Sequence, residues 1–528
     1  MGKKILHIFS KTGGGTERFI IDFLYCLNKQ FKAKQIILFK ELLNKSKDFS
    51  IKKKNYNEYQ IIGPSIFYFK SENFYYKFYN KKFEYEFVKF IKQIKPDLVH
   101  IHTIFDLPFL IVKILKKFNI PIIFSIHDTT LLCPRNGFID SNNDYCLENY
   151  NGIKCSECFP EINYINFYFY HQYIKNMLNY DIDILTTVSK ATAEIYKYFG
   201  INKEINVIYS GINLSCKIPV KSLDKEKVVF GYFGGNSIHK GFLILINALQ
   251  YIKNKKSKII LYGSNINDTL KTTILKKLNG NLEIIFEKSY NINEIQDVYK
   301  KIDVLIFPSY CFETAGLTLL EAKYFKTPII FSNSNGIPEY AKNNIDGFAF
   351  ENGNYKQLGK ILLKIVDNPK IINEIRERIE PPKKMEDTVD EYIVLYNSLL
   401  KEKKINNHIF VKLLNKKEKK ILTDLQKEQK INIKKIISNK KIKKIILFGT
   451  GVLSKRIYLT LSKTQRNKIK YVFDNDELKN NKIFFGHIIK KPFFIEDIDY
   501  IIIASQWFNE IKEQLISLGY PEKKIVII

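Results

Sequence analysis

Ile5, Leu6, Ile8 and Phe9 make an apolar run within Lys4–Ser10, and behind a glycine loop the apolar positions of Thr16–Asn28 return every three to four residues. The first pattern predicts a strand buried on both faces and the second an amphipathic helix. Further strands are predicted at Gln35–Phe39, Leu98–His102, Ile122–Ile126, Ile184–Val188 and Ile205–Tyr209. A second series runs through Val228–Phe233, Lys258–Tyr262, Leu282–Phe286, Val304–Phe307 and Pro328–Phe331, with a helix near Glu391–Leu400 closing it. Apolar strands spaced by helices imply parallel sheets covered on both faces, so the predicted class is α/β with two doubly wound Rossmann-like domains, residues 1–215 and 216–400. Residues 401–440 carry thirteen lysines against four acids, with Ile and Leu interleaved and no glycine or proline, and read as a basic helical linker. A third, small Rossmann-like domain is predicted over 441–528, from strands Lys444–Phe448, Lys470–Phe473, Tyr500–Ala504 and Lys524–Ile528.

At 528 residues and 45% hydrophobic composition the chain can build real cores. Its longest apolar run, near Phe109–Leu115, falls short of the roughly 18 residues of a membrane span. Lys3 and Lys4 lead straight into the first strand without a signal-peptide pattern, so a cytoplasmic chain is expected. The net charge of +30 fits an AT-rich coding bias together with an acidic partner such as anionic lipid headgroups or a diphosphate-linked acceptor. No nucleic-acid-binding module is recognisable, so nucleic acid is not an expected partner. The aromatic and basic stretches Phe67–Ile94 and Tyr164–Tyr180 read either as helices lying on an anionic bilayer or as helices packed on the sheet.

Candidate chemistry concentrates in P-S-Y-C-F-E-T-A-G-L-T-L-L-E-A, residues 308–322. A strand runs into Pro308-Ser309, and a helix is predicted after Thr314, whose hydroxyl can cap it. The first helical turn, near Ala315, Gly316 and Leu317, offers unpaired N–H groups and the positive end of the dipole to an anion. Glu313 precedes that turn and Glu321 follows about 10 Å on, a diphosphate's length. The spacing suits Glu313 on sugar hydroxyls, phosphate on the helix tip and Glu321 on a ribose diol.

Six segments together resemble the retaining glycosyltransferases of family 4, over residues 1 to about 400. Gly14-Gly15-Thr16-Glu17 is similar to that family's GGxE loop, and Asp97–His102 to its D-V-V-H-x-H strand. His127-Asp128 matches the HD pair, Val207–Asn213 the V-I-x-N-G-V-D entry to the second domain, Lys240-Gly241 the K-G pair, and Glu313 to Glu321 the E-x7-E signature. The resemblance implies a GT-B fold, a nucleotide-diphosphate sugar donor, a glycan or lipid-linked glycan acceptor, retained anomeric configuration and no catalytic metal. It places His127 beside the transferred sugar, backbone N–H groups of Gly14 and Gly15 on the diphosphate, and Lys240 as its cation. His100 and His102 share one strand face and read as core or as support for the site, with a substrate contact open for His102.

Two positions depart from the family pattern. Gly235, in F-G-G-N-S-I-H-K-G, stands where an arginine would share the diphosphate charge, which leaves His239 or a cation from elsewhere to compensate. Asn335 replaces a glycine ahead of Gly336 and Glu339. Cys133, Cys146, Cys155 and Cys158 follow the HD pair at C-x12-C-x8-C-x2-C, which reads either as a structural zinc site or as packed free thiols. In the third domain Gly449-x-Gly451-x-x-Ser454, with Asp474 after the next strand and Asp476 and Ser505 beyond, resembles small nucleotide-sugar-binding modules; an empty docking module is the other reading. Two further functions stay open: a GT-B sugar-nucleotide epimerase, and a non-enzymatic nucleotide-sugar-binding scaffold, which the missing arginine favours.

Overall fold

The computed structural model describes residues 2–11, 13–41, 48–66, 74–146, 152–162, 164–219, 227–263, 266–402, 442–449, 463–475, 483–484, 487–503 and 508–527. It divides into two compact units, Met1–Leu414 and Asn415–Ile528.

The larger unit holds two sheets. The first contains β1 (Lys4–Lys11), β2 (Lys34–Glu41), β3 (Ser50–Lys53), β4 (Glu58–Ile62), β5 (Leu98–Ile101), β6 (Ile122–Ile126), β7 (Ile184–Thr187) and β8 (Ile205–Val207), ordered β3-β4-β2-β1-β5-β6-β7-β8. Neighbours pair in parallel except β3 with β4. The second contains β9 (Val228–Phe233), β10 (Ser257–Tyr262), β11 (Leu282–Glu287), β12 (Val304–Phe307), β13 (Ile329–Ser332) and β14 (Gly347–Phe350), all parallel, ordered β11-β10-β9-β12-β13-β14. Strand order reverses between β1 and β5 and again between β9 and β12. Doubly wound sheets bind ligands outside the carboxyl ends of their strands at such reversals.

The last helix of this unit, Met385–Glu402, follows the second sheet in the chain but packs on the first. Val389, Tyr392, Tyr396 and Leu399 join Phe23, Leu27, Leu98 and Ile123 in one core. The Tyr392 hydroxyl shares hydrogen bonds with Ser125 Oγ at 2.9 Å and Thr186 Oγ1 at 3.0 Å, and the Tyr396 hydroxyl with His100 Nδ1 at 2.6 Å. His100 Nε2 meets Ser125 Oγ at 2.7 Å, while His7 joins His102 at 3.1 Å and Gln35 at 2.8 Å. Burial holds these three imidazoles in the neutral form, pulling His7 down to about 4 and the other two well below the ordinary value. Beside them Lys40 and Asp106 form a fully buried ion pair.

Within both aromatic stretches the described residues include core helices. Lys81–Ile94 buries Phe83, Phe87 and Phe90, and Tyr164–Asn176 buries Phe167, Tyr170 and Ile174 in the first domain's own core, while Tyr85 and Tyr180 stay exposed. Among the described residues no helix is long and apolar enough to cross a membrane.

The smaller unit is a sheet of β15 (Ile445–Phe448), β16 (Ile469–Phe473), β17 (Ile483–Phe484), β18 (His487–Lys490), β19 (Tyr500–Ile503) and β20 (Ile525–Ile527), ordered β17-β18-β16-β15-β19-β20. Gly449 follows β15 with φ +96°, and buried Asp474 follows β16. Gly451, Ser454, Asp476, Ser505 and residues 403–440 of the expected linker lie outside the described residues.

Two outcomes are expected from the buried network. Tyr392→Ala should cost about 3–5 kcal/mol, the range for truncating a buried aromatic ring, and Tyr392→Phe only about 1 kcal/mol, both read from urea unfolding of the full chain. Equal small losses would show that the helix is not part of the core. An imidazole with a pKa near 4, against 6.5 for an unperturbed ring, takes its proton below pH 6.5 only on unfolding. Stability is therefore full above that pH and falls toward pH 4, by up to about 1.4 kcal/mol per pH unit for one ring. His7→Gln should flatten the measured slope by about that amount in that window, and an unchanged slope would mean the ring is already charged.

Candidate active site

Past β1, Gly13 and Gly14 both adopt φ +74°, a turn that places the start of helix Gly14–Gln30 at the end of the sheet. The Glu17 carboxylate accepts the Gly13 N–H at 2.9 Å and holds the loop closed. A Cβ added at Gly15 would stand 3.6 Å from the Leu317 side chain, so the glycine loop and the second domain's helix Leu317–Tyr324 face each other closely.

His127 closes β6. Its ring lies 4.8 Å from that of Phe19 and stacks at 5.9 Å on His102, and its buried Nε2 has no hydrogen-bond partner among the described residues. Burial brings its pKa down to about 4, so the ring is neutral at physiological pH. The segment after it is stitched to the second domain. The Gly137 carbonyl accepts the Phe312 N–H at 2.8 Å, and Thr314 Oγ1 donates to the His127 carbonyl at 2.6 Å.

In the second domain the carbonyl of His239 gathers the N–H groups of Tyr310 at 2.9 Å and Cys311 at 3.1 Å. This brings the segment after β12 against Lys240, whose Nζ lies 2.5 Å from Glu313 Oε1; the Ser309 hydroxyl donates to the same oxygen at 2.5 Å. The lysine side chain is 43% exposed and that of Glu313 13%, so the pair meets solvent on its cationic side. Desolvation works to lower Lys240, but the Glu313 carboxylate outweighs it and lifts the lysine above its ordinary value. Helix Leu317–Tyr324 starts from Gly316 as N-cap, with no side chain capping it. The expected Thr314 cap is therefore corrected: its hydroxyl is spent on the His127 carbonyl.

These groups line one cleft of about 750 Å³ between the two domains, with Gly14, Gly15 and His127 on one wall and Lys240, Glu313, Ala315, Gly316 and Leu317 on the other. Two expected residues do not line it. Glu321 takes hydrogen bonds from Tyr290 at 3.2 Å and Tyr299 at 3.4 Å, and burial pushes its carboxyl up to about 7. Gly235, at φ +58°, donates its N–H to the Tyr262 carbonyl and stands so close to Gly263 that a Cβ on the latter would lie 2.3 Å from its Cα. A side chain at Gly235 would be strained by that backbone, which accounts for the missing arginine.

Asn335 has φ +54°, a conformation asparagine tolerates where glycine is usual, and its Oδ1 accepts the Tyr145 hydroxyl of the first domain at 3.1 Å. Sequence reasoning gave no role to Glu339, which the structure places at the junction: its carboxylate accepts the N–H groups of Lys190 and Ala191, both at 2.8 Å, and the Tyr209 hydroxyl at 2.9 Å. No disulfide joins any of the seven cysteines, and burial raises the thiols of Cys133 and Cys155, which neighbouring cysteines of the C-x12-C-x8-C-x2-C set push up further. Among the described residues the one group of three ligand atoms within 4.8 Å of one another is His7, His100 and His102; no three of Cys133, Cys146, Cys155 and Cys158 converge so far.

A model of glycosyltransferase family 4 matches residues 13–215, and one of glycosyl transferases group 1 matches residues 217–385. Residues 441–526 match a family described as C2185-like, N-terminal. An uncharacterized glycosyltransferase of Methanocaldococcus jannaschii is 25% identical over 30% of this chain and 45% of its own. The capsular polysaccharide biosynthesis glycosyltransferase CapM of Staphylococcus aureus is 24% identical over 34% and 48%. The chain thus spans about half the length of these relatives. The Anabaena HepE structure in complex with UDP and glucose shares the fold, with TM-score 0.52 and 16% identity over 75% of this chain and 99% of that one. Apart from β1, the strands of both sheets and the residues lining the cleft fall within the two matched stretches, and on that ground the chain belongs to the family 4, group 1 glycosyltransferases and has their GT-B fold.

Proposed function

We propose that the chain transfers a sugar, with retained configuration, from a nucleotide-diphosphate sugar to a glycan or lipid-linked glycan acceptor in bacterial surface polysaccharide synthesis. The observation that carries this reading is the Lys240–Glu313 pair beside an uncapped helix start in a cleft walled by both domains. The capsular function in the name of CapM and the UDP and glucose bound by HepE support it.

In this reading the N–H groups opening helix Leu317–Tyr324 and those of Gly14 and Gly15 receive the diphosphate, where the dipole favours negative charge. Lys240, kept protonated by its neighbour, meets the charge that builds as the diphosphate departs. Glu313 presents Oε1 to Lys240 and Ser309, which leaves Oε2 to accept hydroxyls of the transferred sugar. Neutral His127 offers Nε2 to the same sugar. With lysine and helix terminus supplying the positive potential, the reading assigns no metal to the step.

Replacing Lys240 with alanine should cost about 2–4 kcal/mol of transition-state stabilisation, a hundred-fold or more in turnover of the full chain. Sugar transfer assayed with UDP-, GDP- and dTDP-linked donors would check this, and near-wild-type turnover would remove Lys240 from the site.

A further inference from the structure

A diphosphate bound in this cleft meets little net positive charge from the second domain. Lys240 is matched by Glu313 at 2.5 Å, the helix start contributes roughly half a charge, and Gly235, whose φ of +58° would strain any side chain, carries no cation. Among the described residues lining the cleft, the other permanently cationic side chain is Arg135, from the segment after His127.

Arg135 is half-buried, and its Nε donates to the Ile139 carbonyl at 3.0 Å, which holds the stem of the side chain. Its two terminal nitrogens have no hydrogen bond or ion pair among the described residues. The segment carrying it is fixed. Gly137, two residues on, receives Phe312 through its carbonyl, gives its own N–H to Thr129 Oγ1 at 2.7 Å, and sits so tightly that a Cβ there would lie 2.7 Å from that of Cys311. Arg135 is thereby held against the strap that ends in Glu313. Its charge reaches His239, the neighbour of Lys240, where after burial it is the next cause holding that imidazole low. The acids nearest in sequence are engaged elsewhere: Asp140 accepts the N–H groups of Asn142 and Asp144, and Asp128 the N–H and hydroxyl of Thr130.

We propose that Arg135 binds the donor diphosphate, supplying from the first domain the guanidinium that Gly235 of the second lacks. The inference rests on the donor reading above. A planar fork with both terminal nitrogens free suits phosphoryl oxygens better than an ammonium does. The diphosphate then lies between a lysine from one domain and an arginine from the other, so its charge is fully matched only when both walls are in place.

The test is calorimetric titration of the full chain with UDP, GDP and dTDP, and with uridine, guanosine and thymidine as controls lacking phosphate. Arg135→Gln keeps a donor for the Ile139 carbonyl and removes the charge. It should weaken the diphosphate that wild type binds by about tenfold or more, the scale of a charge-assisted hydrogen bond, and leave the matching nucleoside unchanged. Arg135→Lys should retain part of that binding. Diphosphate affinity unchanged by Arg135→Gln but reduced by Lys240→Ala overturns the arginine's role and sends it to another substrate. Wild-type protein that binds none of the three diphosphates overturns the donor reading itself, and this inference with it.

Discussion

The N–H groups that open helix Lys190–Tyr198 face the second domain at the junction of the two. Ser189 caps the third residue of the turn, and Glu339 of the second domain takes the two N–H groups before it. A carboxylate is the group a helix start receives best, because it accepts from orphan donors and lies at the positive end of the dipole. Around it the Tyr340 hydroxyl donates to the Val188 carbonyl at 2.5 Å and accepts the Ser210 N–H at 3.0 Å. His127 and Glu313 stand on different domains, and no bond of the chain sets their separation locally. The Glu339 cap and the Thr314 bond to the His127 carbonyl set it instead.

With that registration, the cleft presents polar groups in two tiers. Below, a row of buried neutral imidazoles from His7 through His102 reaches His127 and adds no charge. Above, positive charge lies on the walls, on Lys240 and Arg135, and the negative partner of Lys240 is drawn to one side by Ser309. A ligand with an anionic centre and a polyhydroxylated end is suited by such a floor and such walls, since charge is offered at one place and neutral hydrogen-bond partners at another.

Much of the fold was legible in the sequence because a parallel strand buried on both faces writes itself as a local apolar run: β1, β5, β6, β9, β10 and β12 lie within a residue or two of where hydrophobicity placed them. Strands whose reason is non-local escaped. Ser50–Lys53 reads S-I-K-K and exists through its antiparallel pairing with β4, and Gly347–Phe350 through pairing with β13. The same limit governs the site. The glycine loop, His127, Lys240 and Glu313 were legible as spacing and do meet in one cleft. The Thr314 hydroxyl was misjudged because its partner sits 187 positions away. Glu339 and Arg135 left no local signal, since a carboxylate capping another domain's helix and a guanidinium bonded only through its Nε look in sequence like solvated surface. The cysteine spacing was readable, and the four thiols do come near enough to act on one another's charge.

Helix Met385–Glu402 also bears on the order in which the polypeptide becomes a protein. The first domain is translated about 170 residues before the segment that covers Phe23, Leu98 and Ile123 and gives His100 a hydroxyl. On the ribosome that domain must wait with an apolar face and a buried imidazole unserved, while the second sheet is made and folds beside it. Vectorial, domain-by-domain maturation, the usual protection of multidomain chains, is therefore denied to this one.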